Sequence, residues 1–358
     1  MLSQTAKTVT HATTGDATQL RKFLEAGRGK TLVLTGAGIS TDSGIPDYRG
    51  PNGVYNRNKD FRPIQFQERY WARSFLGWPK ILNTQPNGSH HALTELQRVG
   101  AVSSILTQNV DRLHTKSGSH SVVEMHGSLH EVERYWARSF LGWPKILNTQ
   151  PNGSHHALTE LQRVGAVSSI LTQNVDRLHT KSGSHSVVEM HGSLHEVECQ
   201  GCGDVTSRQS YQETLAELNP TVAQWSTAHP DKATGDVASS DKVNPDGDVD
   251  ISWNYDDFDY PACNKCGGIM KPRVVFFGEN MPAATRTTAL ERVSDANALL
   301  VVGSSLKVFS AMRLINHAHT RKIPISIVNL GPTRADELCS LRIDKPCTML
   351  LTEVADLN

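Results

Sequence analysis

The sequence predicts an α/β fold, a doubly wound and mainly parallel sheet with a small metal-binding module, and three observations predict it. Six short apolar runs end in glycine or polar turns: 31–38 (TLVLTGAG), 168–176 (SSILTQNVD), 187–192 (VVEMHG), 273–279 (RVVFFGE), 298–305 (ALLVVGSS) and 325–331 (ISIVNLG). Being apolar on both faces, they suit strands buried between two helical layers. Residues 155–165 (HHALTELQRVG) and 311–322 (AMRLINHAHTRK) carry apolar side chains at helical spacing and suit the layers themselves. The third observation is a pair of Cys-x-x-Cys motifs, Cys199 with Cys202 and Cys263 with Cys266.

The bulk composition bounds the partners. The chain has 358 residues, 38% of them apolar, enough for one large domain or two modest ones. Lys plus Arg and Asp plus Glu both number 36, so no overall field favours nucleic acid or an anionic membrane surface. No apolar run approaches the roughly 18 residues that span a bilayer, so no membrane partner is expected. Residues 1–24 are rich in Ser and Thr and have no acid before Asp16, but Lys7 is their one base before that acid. They read either as a targeting segment or as a polar chain end.

Four of the six cysteines sit in the two Cys-x-x-Cys pairs, which favours a metal site over a disulfide framework. Four thiolates on two tight knuckles suit tetrahedral Zn2+ and leave no position for water, so the metal is expected to be structural. The intervening residues 203–262 include an acidic stretch, PDGDVDISWNYDDFDYP, to which no role is assigned.

Residues 68–132 recur letter for letter as residues 133–197, at an offset of 65. Solenoid repeats diverge, are shorter and come in threes or more, so this doubling reads as a tandem duplication or an error in assembling the coding sequence. Twelve of the sixteen histidines lie in the two copies, so the histidine count does not argue for a histidine-rich metal site. The 358 residues less one copy of 65 leave 293, a size that suits one large domain with an inserted module. The apolar residues of the surplus copy must stay exposed or compete with their twins for the same core sites.

Ligands of doubly wound sheets bind at the carboxyl ends of the strands, where Gly36, Asn174, His191, Gly303 and Asn329 fall. The first run leads into Gly36, Ala37, Gly38, Ile39 and Ser40, where glycines admit a phosphate and a following helix would offer free N–H groups. Thr41 stands where the third glycine of a hydride-transfer fingerprint belongs, which argues against an ordinary NAD dehydrogenase. Gly44, Ile45, Pro46, Asp47, Tyr48 and Arg49 follow.

TGAGIS-TDS-GIPDYRG closely resembles the NAD-binding signature of the sirtuin family. The resemblance continues in order through TQNVDRLH, the strand ending in His-Gly, both Cys-x-x-Cys pairs, KPRVVFFGE, VVGSSLKV and IVNLGPT. RPIQ, RYWARSFLGWP and LGPTRADEL are most similar to the class II, sirtuin-4-like branch. RPIQFQERYWAR is shorter than the family's stretch there, part of a mobile cofactor loop. The resemblance implies a Rossmann-like domain, residues 25–198 and 267–358, with a zinc module at 199–266 and residues 1–24 preceding them. It also implies an NAD-dependent protein-lysine deacylase of the mitochondrial matrix, acting on acyl-lysine proteins. In that chemistry the acyl-lysine amide oxygen attacks C1′ of the nicotinamide ribose, nicotinamide leaves, and a histidine takes a proton from the ribose hydroxyls.

Carried over residue by residue, the resemblance makes His191 the base, with Gln173, Asn174 and Asp176 at the ribose and carboxamide. Ile45 and Asp47 enclose nicotinamide, and Arg49 faces the phosphates or ribose. Gly303, Ser304 and Ser305 meet phosphate and adenosine ribose, and Asn329, Leu330 and Gly331 the adenosine end. Cys347 lies near the late adenine contact, although a buried free thiol is the plainer reading. The peptide adds a strand between Phe276, Phe277, Gly278 and Glu279 and the segment near Val308. By strand alternation one of the two phenylalanines belongs to the core. Tyr135 and Arg138 form a Tyr-x-x-Arg pattern suited to an acidic acyl group, or else an ordinary amphipathic face. Gln108, Asn109, Asp111 and His126 are the first-copy equivalents. Continuity into the Cys199 knuckle favours the second copy for catalysis. Mono-ADP-ribosyl transfer and a weakly active NAD- and zinc-binding scaffold are the rival functions.

Overall fold

A computed structural model describes residues 15–57, 84–107, 109, 113–124, 131–229, 258–277 and 279–356. Its strands are β1 (Thr31–Thr35), β2 (Ile105–Thr107), β3 (Val122–Glu124), β4 (Val167–Thr172), β5 (Val187–Glu189), β6 (Gly192–Cys199), β7 (Val205–Ser207), β8 (Met270–Val274), β9 (Ala298–Val302), β10 (Ile325–Val328) and β11 (Leu341–Ile343). Six form one parallel sheet in the order β11-β10-β9-β1-β4-β5. The chain starts at β1, winds out through β4 to β5, then returns to β9 and winds out the other way. This is the expected doubly wound sheet, and its switch point lies between β1 and β9.

Alternation along the central strands assigns each residue to one face. Leu32, Leu34, Leu171, Leu299 and Val301 pack beneath helices Ala283–Asp295 and Phe309–Thr320, through Val293, Leu314 and Ile315. Val33, Ile170, Leu300 and Val302 face helices Asp16–Ala26, Gly153–Arg163 and Cys347–Asp356, through Leu20, Leu161 and Leu351. A third cluster joins helix Glu131–Asn148 to the three-stranded sheet β7-β6-β8 and helix Arg208–Leu218, with Trp136, Phe140, Val197 and Leu215 at its centre. Among the described residues no helix is long and apolar enough to cross a membrane.

Three expectations are corrected. The run 273–279 does not join the parallel sheet, because β8 pairs antiparallel with β6; an apolar run reports that its faces are covered, not which strand lies beside it. Within the N-terminal segment 1–24, helix Asp16–Ala26 begins at Asp16, which pairs with Lys345 (2.8 Å), and buries Leu20 and Leu24. Those residues belong to the core, and residues 1–14 lie outside the described residues. The Gly36 turn leads into two short 3-10 turns, Ala37–Ile39 and Thr41–Ser43, rather than a long helix.

Where both copies are described, they take the same local structure in different surroundings. Helices Gly88–Arg98 and Gly153–Arg163 start at Asn87 and Asn152 with the same capping box. Strands β2 and β3 pair in parallel as β4 and β5 do, but β2 and β3 form a separate two-stranded sheet. Leu161 and Leu171 are fully buried, whereas their twins Leu96 and Leu106 are 42% and 64% exposed. Each such side chain left in water forgoes about 2 kcal/mol of burial. Every strand of the six-stranded sheet lies outside 68–132, and deleting either copy yields the same chain. That shortened chain is therefore expected to unfold cooperatively at or above the melting temperature of the full chain; a scan showing no cooperative transition would contradict this use of the copies.

Candidate active site

The turns after β1 and β9 interlock at the switch point. The Gly36 and Gly38 amides donate to the carbonyls of Val302 (3.1 Å) and Gly303 (2.9 Å). Gly303 sits at φ +61°, and a Cβ there would lie 2.5 Å from the Ile39 nitrogen; one on Gly36 would lie 2.7 Å from the Gly303 oxygen. Both positions require glycine because two backbones meet there.

The end of β4 supplies the polar floor. Buried Ser40 donates through Oγ to Asp176 Oδ2 (2.8 Å) and accepts from Asn174 Nδ2 (3.0 Å). The Leu178 amide donates to Asp176 Oδ1 (3.0 Å). Burial pushes the Asp176 carboxyl up, against the hydrogen bonds from Leu178 and Ser40 and the charge of Lys181. Gln173 donates through Nε2 to Ser304 Oγ (2.8 Å) and the Thr35 carbonyl (3.1 Å), tying the ends of β4, β9 and β1 together.

His191 follows β5. Its Nδ1 lies 3.0 Å from the Gln173 carbonyl and its Nε2 2.8 Å from Ser310 Oγ. A carbonyl only accepts, so Nδ1 carries the proton of the neutral ring and Nε2 keeps its lone pair. Burial lowers the proton affinity of His191 and the Gln173 carbonyl partly restores it, which leaves a neutral ring able to act as a base. Nearby, Arg177 pairs with Glu196 (2.5 Å) and approaches Glu189 (3.8 Å). Burial raises Glu189 to about 7 despite Arg177. Behind the floor the His155 and His179 rings lie 4.9 Å apart, and His179 Nε2 lies 3.0 Å from Thr35 Oγ1. Burial lowers them to about 2 and about 4, so both are neutral rings supporting the end of β1.

Of the other expected cofactor residues, Ile45 is buried, and Asp47 turns its carboxylate onto the Gly50 amide (2.7 Å). Pro46 is half-buried beside them. Arg49 lies over the Tyr55 ring (5.0 Å), and Tyr48 meets Phe277 edge-on (5.5 Å), joining the loop after Gly44 to the segment after β8. Asn329 donates to the carbonyls of Leu330 (2.8 Å) and Gly331 (3.1 Å), so its amide closes its own turn. Cys347 is buried beneath Val328, and burial pushes its thiol up to about 12. Ser305 and Val308 are half-buried at the start of helix Phe309–Thr320. Gly278, Gln108, Asp111 and His126 lie outside the described residues. Asn109 is exposed, although its amide donates to Thr107 Oγ1 as that of its twin Asn174 does to Thr172 Oγ1.

Of the residues expected to meet the peptide, Phe276 is buried and Phe277 half-buried, the alternation expected of a strand. Lys271 pairs with Glu279 (2.6 Å), both nearly buried, and Glu279 accepts from the Phe276 amide (2.8 Å). That ion pair fixes the Phe-Phe-Gly-Glu segment on β8, and it was not foreseen. Tyr135 is buried edge-on against Phe276 (5.3 Å), and Arg138 is half-buried. A second guanidinium, Arg208, lies fully buried over Trp136 (5.2 Å) and Trp143 (5.0 Å) and donates to Ser139. No sequence motif marks Arg208; only the packing of two distant helices brings it there.

Cys199, Cys202, Cys263 and Cys266 converge with their Sγ atoms all within 4.8 Å of one another. Two of the separations are 3.4 Å (Cys199–Cys266) and 3.7 Å (Cys202–Cys263). Four sulfurs at about 2.3 Å from a tetrahedral Zn2+ would stand about 3.8 Å apart. The donor set fits a closed zinc site, with the Gly201 and Lys265 amides directed at Cys199 and Cys263.

The model of the Sir2 family matches residues 36–136 and again 133–310, the first span running through the first copy and the second through the second. The chain belongs to the Sir2 family. Among its relatives, the NAD-dependent protein deacylase SIR4 of Batrachochytrium dendrobatidis is 44% identical, over 95% of this chain and 93% of that protein. The NAD-dependent protein deacylase Sirt4 of Drosophila melanogaster is 36% identical, over 96% and 88%. The bovine NAD-dependent protein lipoamidase sirtuin-4, mitochondrial, is 38% identical, over 93% and 84%. A solved Sir2 structure with a p53 peptide and NAD+ superimposes with a TM-score of 0.55 at 25% identity, covering 95% of this chain and 97% of that one. The sirtuin fold and the Sirt4-like relatives agree with the resemblance read from the motifs.

Proposed function

We propose that this sirtuin removes acyl groups from protein lysine side chains with NAD as the acyl acceptor, and that the second copy of the repeat supplies its working residues. One observation carries the reading. Gly36, Gln173, Asn174, Asp176, His191, Gly303 and Ser304 gather at one carboxyl edge of the sheet: Gln173 bonds both Ser304 and His191, Ser40 links Asn174 to Asp176, and backbone hydrogen bonds interlock the Gly36 and Gly303 turns.

Bound NAD supplies an electrophilic ribose carbon and nicotinamide as its leaving group. The chain's own groups do the rest. His191 Nε2 takes a proton from a ribose hydroxyl, and the Ser40, Asn174 and Asp176 floor orients the ribose and carboxamide. The interlocked Gly36 and Gly303 turns leave backbone close to the phosphates. Ile45 and Phe277 keep water from the reacting carbon, and the peptide adds a strand between Phe276–Glu279 and Val308. Tyr135, against Phe276, and Arg138 border the acyl end. The bovine relative's name and the acid-free residues before Asp16 support a mitochondrial location.

Mass spectrometry of the chain with NAD and lysine peptides bearing acetyl, glutaryl, methylglutaryl and lipoyl groups tests this. The expected result is free lysine, nicotinamide and O-acyl-ADP-ribose in equal amounts, with removal of acidic groups reduced at least tenfold by Arg138→Met if Arg138 pairs with them. A chain that gains ADP-ribose mass on protein and leaves every peptide intact would support ADP-ribosyl transfer instead. Binding of NAD with neither product would support the scaffold reading.

A further inference from the structure

We infer that Ser310 is a positioning residue for the base: its hydroxyl donates to Nε2 of His191, holds the neutral Nδ1-H tautomer and occupies the lone pair until a ribose hydroxyl replaces it. The inference rests on the reading of His191 as the base.

Two hydrogen bonds grip the ring from opposite sides, Nδ1 to the Gln173 carbonyl (3.0 Å) and Nε2 to Ser310 Oγ (2.8 Å). The first fixes the proton on Nδ1, so the second must run from the serine hydroxyl to Nε2. Ser310 is the second residue of helix Phe309–Thr320 and two residues after Val308, where the peptide is expected to lie. The side chain that occupies the base therefore stands at the junction of cofactor and peptide. The helix is capped by Val308 without a side-chain hydrogen bond, so Ser310 is not its N-cap.

The charged groups around the ring are engaged elsewhere. On β5 Glu189 lies against Arg177, after β4 Asp176 is held by Ser40 and Leu178, and next to β8 Glu279 pairs with Lys271. On the helix Arg313 is exposed and His317 is bonded to Ser294. In the neutral ring the hydroxyl donates to Nε2, and on the charged ring it turns to accept from Nε2–H, a stronger charge-assisted bond, so removing it lowers the ring's proton affinity. The base must be neutral to work, and the acid limb of the rate profile therefore moves to lower pH.

The full chain carrying Ser310→Ala is the test, read by the pH profile of kcat/KM and by NMR titration of the His191 ring, assigned through its absence in His191→Gln. Both midpoints are expected to fall by about half to one pH unit, the size of one hydrogen bond, while the pH-independent plateau of kcat/KM drops about three- to tenfold as the ring loses its orientation. Ser310→Thr, which keeps the hydroxyl, should return both midpoints toward the wild type. Superimposable titrations of wild type and Ser310→Ala in a folded variant would overturn the inference. Wild-type activity in His191→Gln would instead overturn the reading of the base, whatever Ser310 does.

Discussion

Replacing Cys199 and Cys266 by Ser, or stripping the metal with a chelator, is expected to unfold the three-stranded module and abolish deacylation. The cysteines clamp the end of the sheet away from its packed helices. β7 is three residues long, and β6 and β8 are joined across a register irregularity. Structural zinc contributes about 10–16 kcal/mol to small domains, more than such a sheet can replace. The loss reaches the active site because β6 begins at Gly192, next to His191, and β8 leads directly to Phe276. Calorimetry with metal analysis should show the melting temperature fall by on the order of 10 °C or more, in step with zinc release. A chelated, zinc-free chain that melts and turns over as before would contradict the structural role of the cysteines.

Much of this site was legible in the sequence because its residues follow strands at short range. Gly36, Gln173, His191, Gly303 and Asn329 each come one or two residues after a parallel strand, so finding the strands placed them on one edge. The cysteine knuckles were legible for a similar reason, since metal chemistry fixes their spacing. What was not legible depends on partners far along the chain. Ser310 meets His191 from 119 residues away, and Arg208 meets Ser139 from 69 residues away. The orientation of 273–279 follows from pairing with β6, which an apolar run does not encode.

The repeat makes this limit explicit. Leu106 and Leu171 have the same neighbours in sequence and lie on strands that pair in parallel with the strand that follows, but only Leu171 has β1 alongside and helices packed over its face. One is exposed and the other buried. Where both copies are described, local sequence forms the same helix, cap and strands, and we propose that connection to the zinc knuckle places the second copy in the cleft.

The second large effect concerns the two histidines that the repeat makes equivalent. His191 is gripped between Gln173 and Ser310, and its amino-acid neighbours lead into the zinc module. General-base catalysis by a positioned histidine contributes about 10²- to 10⁴-fold, and no other ring is seen to meet Gln173 and Ser310 among the described residues. On the proposed reading, the copy that packs against β1, not the identity of the residue, determines which ring acts. The most direct measurement is therefore kcat/KM for NAD-dependent deacylation of one acyl-lysine peptide by His191→Ala and by His126→Ala, both confirmed folded. The account predicts a loss of at least a hundredfold in the first and wild-type rates in the second. The reverse pattern would contradict it and place the first copy in the cleft.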